Sequence, residues 1–249
     1  MVRVYLDLPD PISARVLIEG EPFHHLVHVL RLGERARVEA FDGKGRSFEA
    51  ELSWVDDRRG ELSILRQLTS SSSTASTLPL TLIQSLPKAS KWEWVIQKGT
   101  ELGVADFRPV FTRRCAIRLD ASRAAEKVAR WQKIAREASR QSGRNDCPTV
   151  HLPVALEQFI SKWESPVALV VLDEEEKQTS LGRLFAAHSL HAKPVALLIG
   201  PEGGWERSEI QELQSAGAFT ASLGRIILRT ETAALTSISL ARYLQGAFD

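Results

Sequence analysis

The chain has 249 residues, of which 43% are apolar and 25% are charged, and its net charge is +1 at neutral pH. These values are ordinary for a soluble protein and exclude a polycation, so basic groups that bind nucleic acid must be gathered on one face. Cys115 and Cys147 have no CxxC spacing and no histidine cluster beside them, which argues against a disulfide framework or a zinc site. The first residues lack the apolar core of a signal peptide, and no apolar run approaches the roughly 20 residues of a membrane span. We therefore expect a cytoplasmic protein.

The first part of the chain predicts a small β-barrel. Apolar segments between Gly and Asp turn signals predict strands in "RVYLDL", "ARVLI", "ARVEAFDG", "RSFEAELSWV" and "GELSILRQL". The Asp-Gly pair in "FDGKGR" suits a tight hairpin turn. One helix is expected to interrupt the strands, from Pro22 to Leu32.

Three histidines lie in that helix. His24 and His28 share a helix face, a spacing that some metal sites use, but the HExxH pattern of a metalloprotease is absent and the neighbouring residues are apolar. We predict no metal site, and histidines that lie in the core or face RNA.

The run "TSSSSTAST", Thr69 to Thr77, predicts a linker, because small polar residues cannot bury enough surface to fold. It divides the chain into a domain of residues 1–72 and a domain of residues 73–249.

The second part alternates strands and helices, which predicts an α/β fold with a mostly parallel sheet covered on both faces. Ligands in such sheets lie at the carboxyl ends of the strands. The predicted strands are "LPLTLIQSL", "FRPVFT", "PVALVVLD", "AKPVALLIG" and "FTASLG". The predicted helices are "KWEWVIQKGTELGV", a long one from about Ser122 to Ser142, "RSEIQELQSAG" and "TAALTSISLARYLQGAF".

The segment "LLIGPEGGWERSEI" joins one of these strands to a helix. Gly200, Gly203 and Gly204 permit positive φ and close approach of a ligand to the backbone, while Pro201 stiffens the turn. The segment is neither the GxGxxG fingerprint nor a GxxxxGK phosphate loop. A plain strand-to-helix turn and a ligand-binding loop are both open interpretations.

A second loop of this kind is "LGRIILRTETAAL". Arg229 stands in an apolar run, where an unpaired buried charge would be costly, and Thr230 and Glu231 are placed to cap the following helix. A capped helix with an exposed arginine would explain the segment equally well. Two glycine-containing strand ends so close in sequence favour a site formed by paired loops.

The long helix has an apolar face and a predominantly basic remainder. A solvated helix face is one explanation, but solubility needs mixed charges whereas phosphate binding needs one sign gathered locally. On and just before this helix the basic residues are Arg113, Arg114, Arg118, Arg123, Lys127, Arg130, Lys133, Arg136, Arg140 and Arg144, against Glu126 and Glu137 as the only acids of the helix.

Five motifs in this order resemble the bacterial 16S ribosomal RNA uracil-N3 methyltransferases, a family of the SPOUT superfamily. They are "HHLVHVLRL", "QKGTELGV", "RWQKIAREASRQSGR", "LLIGPEGGWERSEI" and "LGRIILRTETAAL". The resemblance covers nearly the whole chain. It implies an RNA-binding PUA-like β-barrel, followed by a SPOUT α/β domain with a deep trefoil knot, and a homodimer with its sites near the subunit interface.

The resemblance implies S-adenosylmethionine as cofactor and, as substrate, N3 of a specific uridine in the decoding region of 16S rRNA, within the small ribosomal subunit. The implied cofactor-binding residues are Leu198, Ile199, Gly200, Glu202, Gly203, Gly204, Leu223, Gly224, Leu228 and Thr230. Arg229 is the main catalytic candidate, to stabilise negative charge on the uracil oxygens or to orient a phosphate. Glu231 is a weaker candidate, for a base or for cofactor contacts. Glu101 is either structural or substrate-facing. The expected RNA-binding residues are His25, Arg31, Arg113, Arg114, Lys127, Arg130, Lys133 and Arg144.

Two departures from the family pattern matter. Ile226 stands where the family usually has an arginine and Arg225 precedes it, which in a strand would turn the arginine to the opposite face. Glu206 replaces a common serine and is expected to be a less effective helix cap. A non-catalytic RNA-binding scaffold and a SPOUT methyltransferase with another RNA target remain the alternatives.

Overall fold

The computed structural model describes residues 1–68, 78–163 and 166–248. The chain divides into two compact units, of which the first contains Met1–Ala75 and Arg136–Cys147 and the second contains Ser76–Ala135 and Pro148–Asp249. The predicted linker, 69–77, lies outside the described residues, so the boundary at 72/73 stays a prediction. Within the described ranges, no helix is both long and apolar enough to cross a membrane.

The first unit contains a five-stranded sheet that is curled into a half-barrel, in the strand order β1-β3-β4-β5-β2. Its strands are β1 (Val2–Tyr5), β2 (Arg15–Glu19), β3 (Arg37–Phe41), β4 (Ser47–Trp54) and β5 (Arg59–Leu68). Only β1 and β3 pair in parallel, and the other neighbours are antiparallel. The inward side chains of Val38, Ala40, Leu52 and Leu62 are fully buried and form its core.

The predicted helix of this unit is present, but it is α-helical in its first part and π-helical in its second. Helix α1 (Gly20–His24) continues as a π-helical turn, His25–Val29. Phe23 and Leu26 are buried in the half-barrel core. The exposed rings of His24 and His28 lie 5.1 Å apart. No group of His, Cys, Asp or Glu in the described residues has the arrangement of a metal site.

The predicted hairpin turn joins β3 to β4. The Asp42 carboxylate accepts the backbone N–H groups of Lys44 at 2.8 Å and Arg46 at 3.0 Å. Gly43 and Gly45 have φ of 71° and 101°, a region that favours glycine. An aspartate and two glycines therefore form this turn.

Residues Arg136–Cys147 belong to the first unit although the sequence assigns them to the second domain. Their link is Arg3, whose guanidinium donates to the carbonyl oxygens of Ser139 at 3.3 Å, Arg140 at 3.4 Å and Arg144 at 3.1 Å. Ser139 and Arg140 lie in the last turn of the long helix, at the negative end of its dipole, so a cation from the sheet is well placed there.

The second unit contains a parallel sheet with the strand order β12-β10-β11-β6-β7-β8, and β9 also pairs with β7. Its strands are β6 (Leu80–Ser85), β7 (Asp106–Phe111), β8 (Thr149–Val150), β9 (Val154–Ala155), β10 (Ala168–Leu172), β11 (Val195–Ile199) and β12 (Phe219–Ala221). Its helices are α2 (Ala89–Glu101), α3 (Ala121–Ser142), α4 (Leu156–Ser161), α5 (Leu181–His188), α6 (Arg207–Ser215) and α7 (Thr230–Leu244), with a 3-10 turn at Leu190–Ala192. The α/β prediction is confirmed, while β8, β9, α4 and α5 were not predicted.

Helices cover both faces of this sheet. Side chains of α2, α3, α5 and α7 pack against one face, and those of α4 and α6 pack against the other. Strand β11 lies between β10 and β6, and all five of its residues are buried, as expected for a central parallel strand. The carboxyl ends of β10, β11 and β12 therefore meet at one edge of the sheet, where loops can converge on a ligand.

Candidate active site

A cavity of about 570 Å³ lies at the carboxyl ends of β10, β11 and β12. Its volume is within the range of roughly 300–1,000 Å³ that is usual for small-molecule sites. The lining residues are Leu172, Asp173, Glu174, residues 199–204, residues 222–230, Lys91 and Ala233. The two glycine-containing loops that the sequence indicates are thus brought together around one space.

Nine of the ten predicted cofactor-binding residues line this cavity, and Leu198 is the exception. Leu198 is fully buried and packs with Ile83 and Trp205 on the other face of the sheet. Successive side chains of a strand point to opposite faces, so Ile199 faces the cavity side and Leu198 cannot. We therefore remove Leu198 from the proposed site.

The glycines of the first loop are required by the packing of the protein itself. A Cβ at Gly200 would lie 2.8 Å from Nε1 of the Trp205 indole. Gly204 has φ of 72°, and a Cβ there would collide with the carboxylate of Glu174. The indole of Trp205 also donates to the Leu172 carbonyl at 2.9 Å, which ties this loop to the end of β10. The glycines shape the cavity before any ligand enters it.

Thr230 has a different role from the helix cap that the sequence suggests. Its hydroxyl donates to the Gly200 carbonyl at 2.8 Å and accepts from Nε2 of Gln84 at 2.9 Å. The N-cap position of α7 is Arg229, whose own side chain makes no capping hydrogen bond. Buried Thr230 instead joins the end of β6, the loop after β11 and the start of α7.

The second loop, residues 223–229, follows β12 without extending it. The side chains of Ile226 and Ile227 are 80% and 83% exposed. The alternation of faces that placed Arg225 in doubt applies to strands, so it does not apply here. Arg229 is also exposed, and the desolvation cost expected from its apolar neighbours does not arise.

A lysine that the sequence reasoning missed joins the first cavity loop to the start of α7. Nζ of Lys91, at the start of α2, lies 3.1 Å from the Glu231 carboxylate and 3.4 Å from that of Glu202. Burial raises the pKa of Glu231, but its own backbone N–H, Lys91 and the charge of Arg229 outweigh burial and hold that pKa below its ordinary value. No pattern in the sequence points to Lys91.

Asp173 is another lining residue that was missed, although a signal for it exists. It directly follows the buried strand β10, just as Gly200 directly follows β11. Its nearly buried carboxylate accepts hydrogen bonds from Nη1 and Nη2 of Arg207, at 2.9 and 3.0 Å. Burial raises the pKa of Asp173, but Arg207 and the Glu175 backbone N–H bring the net value below the ordinary one.

Two of the expected RNA-binding arginines contact the first cavity loop and the helix α6 that follows it. Arg113 pairs with Glu212 at 3.0 Å and Glu206 at 3.4 Å, and Arg114 donates to the Gly203 carbonyl at 3.1 Å. Glu206, expected to be a less effective cap for α6, forms a reciprocal capping box with Glu209, whose carboxylate accepts the Glu206 backbone N–H at 3.0 Å. The residue three positions into the helix thus completes the N-terminus.

The other expected RNA-binding residues occupy varied settings. On α3, Arg130 pairs with Glu93 at 2.8 Å while keeping 65% of its side chain exposed, and Lys133 is also exposed. Arg144 is only 6% exposed and pairs with Asp146 at 2.6 Å, so we remove it from the RNA-binding set. Of these other expected RNA-binding residues, the ones kept as candidates are Lys127, Arg130 and Lys133 on α3, and His25 and Arg31 after α1. Glu101, which the sequence leaves as either structural or substrate-facing, pairs with Lys98 at 2.8 Å.

Two family models match the chain. The RNA methyltransferase domain matches residues 74–242, and the RNA methyltransferase PUA domain matches residues 18–65. The fold and the cavity therefore belong to the class of RNA methyltransferases that carry a PUA domain.

Individual relatives narrow this class. The ribosomal RNA small subunit methyltransferase E of Bacillus subtilis is 35% identical over 229 residues, which cover 91% of this chain and 89% of the relative. That of Synechocystis is 33% identical, covering 92% and 73%. The chain belongs to the ribosomal RNA small subunit methyltransferase E family.

Solved structures agree with this. The Neisseria gonorrhoeae ribosomal RNA small subunit methyltransferase E bound to S-adenosyl methionine has a TM-score of 0.86 at 32% identity, with full coverage of both chains. A Legionella pneumophila methyltransferase in complex with the same cofactor has a TM-score of 0.85 at 31% identity, with 97% of each chain covered.

We expect Thr230→Val to destabilise the protein by about 1–3 kcal/mol, because the buried Gln84 amide and the Gly200 carbonyl lose their partner. Thr230→Ser keeps the hydroxyl and is the matched control. Urea unfolding of both variants measures the difference. Equal free energies of unfolding would show that the hydroxyl bridge contributes nothing.

Proposed function

We propose that this protein transfers a methyl group from S-adenosylmethionine to N3 of a specific uridine in the decoding region of 16S rRNA. The observation that carries the proposal is the cavity, which residues 199–204 and 222–230 enclose in a member of this methyltransferase family. The first domain, residues 1–72, would bind RNA. The second, residues 73–249, would carry out the transfer and contain the deep trefoil knot that the resemblance implies.

The residues present suit this cofactor. Leu172, Ile199, Leu223 and Leu228 offer an apolar surface for an adenine ring. Carboxylates of the same lining suit the positive charges of the sulfonium and amino groups. The two similar structures that hold the cofactor, those from Neisseria gonorrhoeae and Legionella pneumophila, support this assignment.

When bound, S-adenosylmethionine supplies a methyl group on a positively charged sulfur. The chain must then orient uracil N3 and stabilise the negative charge that appears as N3 loses its weakly acidic proton. Arg229 is exposed at the cavity, always protonated, and able to donate to a uracil oxygen. N3 belongs to the Watson–Crick edge, so the target base must be unpaired or flipped.

Glu231 fits an electrostatic role better than that of a base. Lys91 and the backbone hold its pKa below the ordinary value, so the carboxylate has little tendency to take up a proton at neutral pH. We propose that Arg229 acts on the substrate, and that Glu231, just outside the cavity lining, helps to set the charge beside the cavity.

The substrate we propose is 16S rRNA within the small ribosomal subunit, in the cytoplasm. Incubation with tritiated cofactor and small subunits that lack this methyl group, followed by mass spectrometry of the nucleosides, tests the proposal. A methyl group on uridine N3 is the expected result. Cofactor binding without transfer would favour a non-catalytic scaffold, and a methyl group elsewhere would mean another RNA target.

We expect Arg229→Ala to lower kcat by about 100-fold or more, because the charge that stabilises the uracil anion is lost. The cofactor dissociation constant should stay nearly unchanged. Arg225→Ala, in the same loop, is the matched control. If both variants lose activity equally, the transfer depends on the charge of the loop and not on Arg229.

RNA binding should depend on the basic side chains of α3. Charge reversal at Lys127, Arg130 and Lys133 is expected to weaken binding and to reduce the salt slope by about 2, since each phosphate contact to single-stranded RNA contributes about 0.7. The control is charge reversal to glutamate at three other exposed residues, Lys162, Arg183 and Lys193, which gives a variant of the same net charge. An equal effect of both triple variants would identify α3 as an ordinary solvated face.

We further propose that the protein is a homodimer. The exposure of Ile226 and Ile227 beside the cavity supports this, because a second copy that covered them would remove two large apolar side chains from water. Such an interface would lie close to the site, as the resemblance implies.

Ile227→Asp is therefore expected to raise the dimer dissociation constant by at least tenfold in sedimentation velocity, because it places a charge in the interface. Leu152→Asp is the control, since Leu152 is 55% exposed in the same unit. A wild-type monomer, or an unchanged constant in Ile227→Asp, would contradict the proposed interface.

A further inference from the structure

Lys91 lies between two carboxylates that come from different parts of the second unit. Glu202 belongs to the loop after β11, Glu231 to the first turn of α7, and Lys91 to the first turn of α2. Nζ of Lys91 is 3.4 Å from Oε1 of Glu202 and 3.1 Å from Oε2 of Glu231. One ammonium group therefore links the loop after β11 to the first turn of α7.

The charges around this group make the link important. Asp173 has a partner of its own, the bidentate Arg207. Glu202 and Glu231 share Lys91, and their side chains are only 33% and 15% exposed. Glu202 lines the cavity and Glu231 lies beside it, both within 3.4 Å of the same ammonium. Without that ammonium, two partly buried carboxylates would lie close together, and like charges at such a distance repel.

We propose that Lys91 is a positioning residue, which holds the loop after β11 to the first turn of α7 through Glu202 and Glu231 and limits the negative charge near a bound sulfonium. The ligand in this statement rests on the proposed function. The pair of contacts from Lys91 to Glu202 and Glu231, which we call the clamp, rests on the two distances from Nζ to the carboxylates.

This charge balance matters for transfer as well as for binding. Methyl transfer discharges the sulfonium, so a strongly negative wall would stabilise the reactant more than the transition state and slow the reaction. The demethylated product, S-adenosylhomocysteine, has a neutral sulfur. An excess of negative charge would therefore favour the reactant over the product in binding.

The protonation states support the clamp. The hydrogen bonds that the Lys91 ammonium donates to the Glu231 and Glu202 carboxylates raise its pKa above the ordinary value, although burial acts in the opposite direction. Glu231 has a lowered pKa. At neutral pH the pair is therefore an ammonium and a carboxylate, which is the charged state that the clamp needs.

The test is calorimetric titration of S-adenosylmethionine and S-adenosylhomocysteine into wild type, Lys91→Met and Lys91→Arg. Loss of the clamp weakens both ligands, but loss of the positive charge affects them differently. In Lys91→Met we expect the product-to-reactant ratio of dissociation constants to rise about fivefold, an effect of one screened charge. Lys91→Arg should restore the wild-type ratio, as should the double variant Lys91→Met/Glu231→Gln.

Lys98→Met is the matched control, since Lys98 lies on the same helix and pairs with Glu101. It should leave the ratio unchanged. A ratio in Lys91→Met equal to that of wild type would overturn the proposed charge role. If Lys91→Met does not fold, Glu231→Gln and Glu202→Gln replace it, and each is expected to lower the product-to-reactant ratio of dissociation constants. An unchanged ratio in both variants would overturn the proposed charge role.

Failure of the proposed function would look different, because wild type would bind neither ligand. The clamp is then judged without ligand, by the urea unfolding of Lys91→Met, Glu231→Gln and the double variant. Non-additive unfolding midpoints are expected for groups in contact. Additive midpoints would overturn the clamp.

Discussion

The hydroxyl of Thr230 is the contact on which the cavity depends. It joins the Gly200 carbonyl to the Gln84 amide and so holds the start of α7 against the ends of β6 and β11. Parallel strands bring their carboxyl ends to one edge, but they leave the loops beyond that edge undetermined. The buried hydroxyl and the indole of Trp205, which reaches the end of β10, fix those loops in place.

Charge is the second constraint on the cavity. Acidic side chains come from two loops and from the start of α7, and each of Asp173, Glu202 and Glu231 is paired with a cation from another element. A cofactor with a permanent positive charge suits such a wall, provided that the pairs keep the wall from becoming strongly negative. Arg229 remains exposed for the substrate, and this separates the charge that shapes the cavity from the charge that acts on the uracil.

Much of the fold and most of the site could be predicted from the sequence, because both depend on local patterns. The apolar run ending at Gly200 predicts β11 and its loop, and motif order indicates the family. What failed depends on neighbours distant in sequence. The loop with Ile226 resembles a strand but does not pair as one, Arg144 resembles an RNA ligand but is buried against Asp146, and Leu198 faces the opposite side of the sheet.

By itself, the sequence determined the alternation of strands and helices, the two glycine loops, the family and the cofactor that the family implies. Hydrophobic periodicity and turn chemistry are local properties, and they can be read along the chain. Only the tertiary structure decided that Lys91 lies between Glu202 and Glu231, that Thr230 bonds to Gly200 rather than capping its helix, and that Arg3 satisfies the end of α3. These are contacts between side chains far apart in sequence, and their partners are chosen by packing, which no local pattern records.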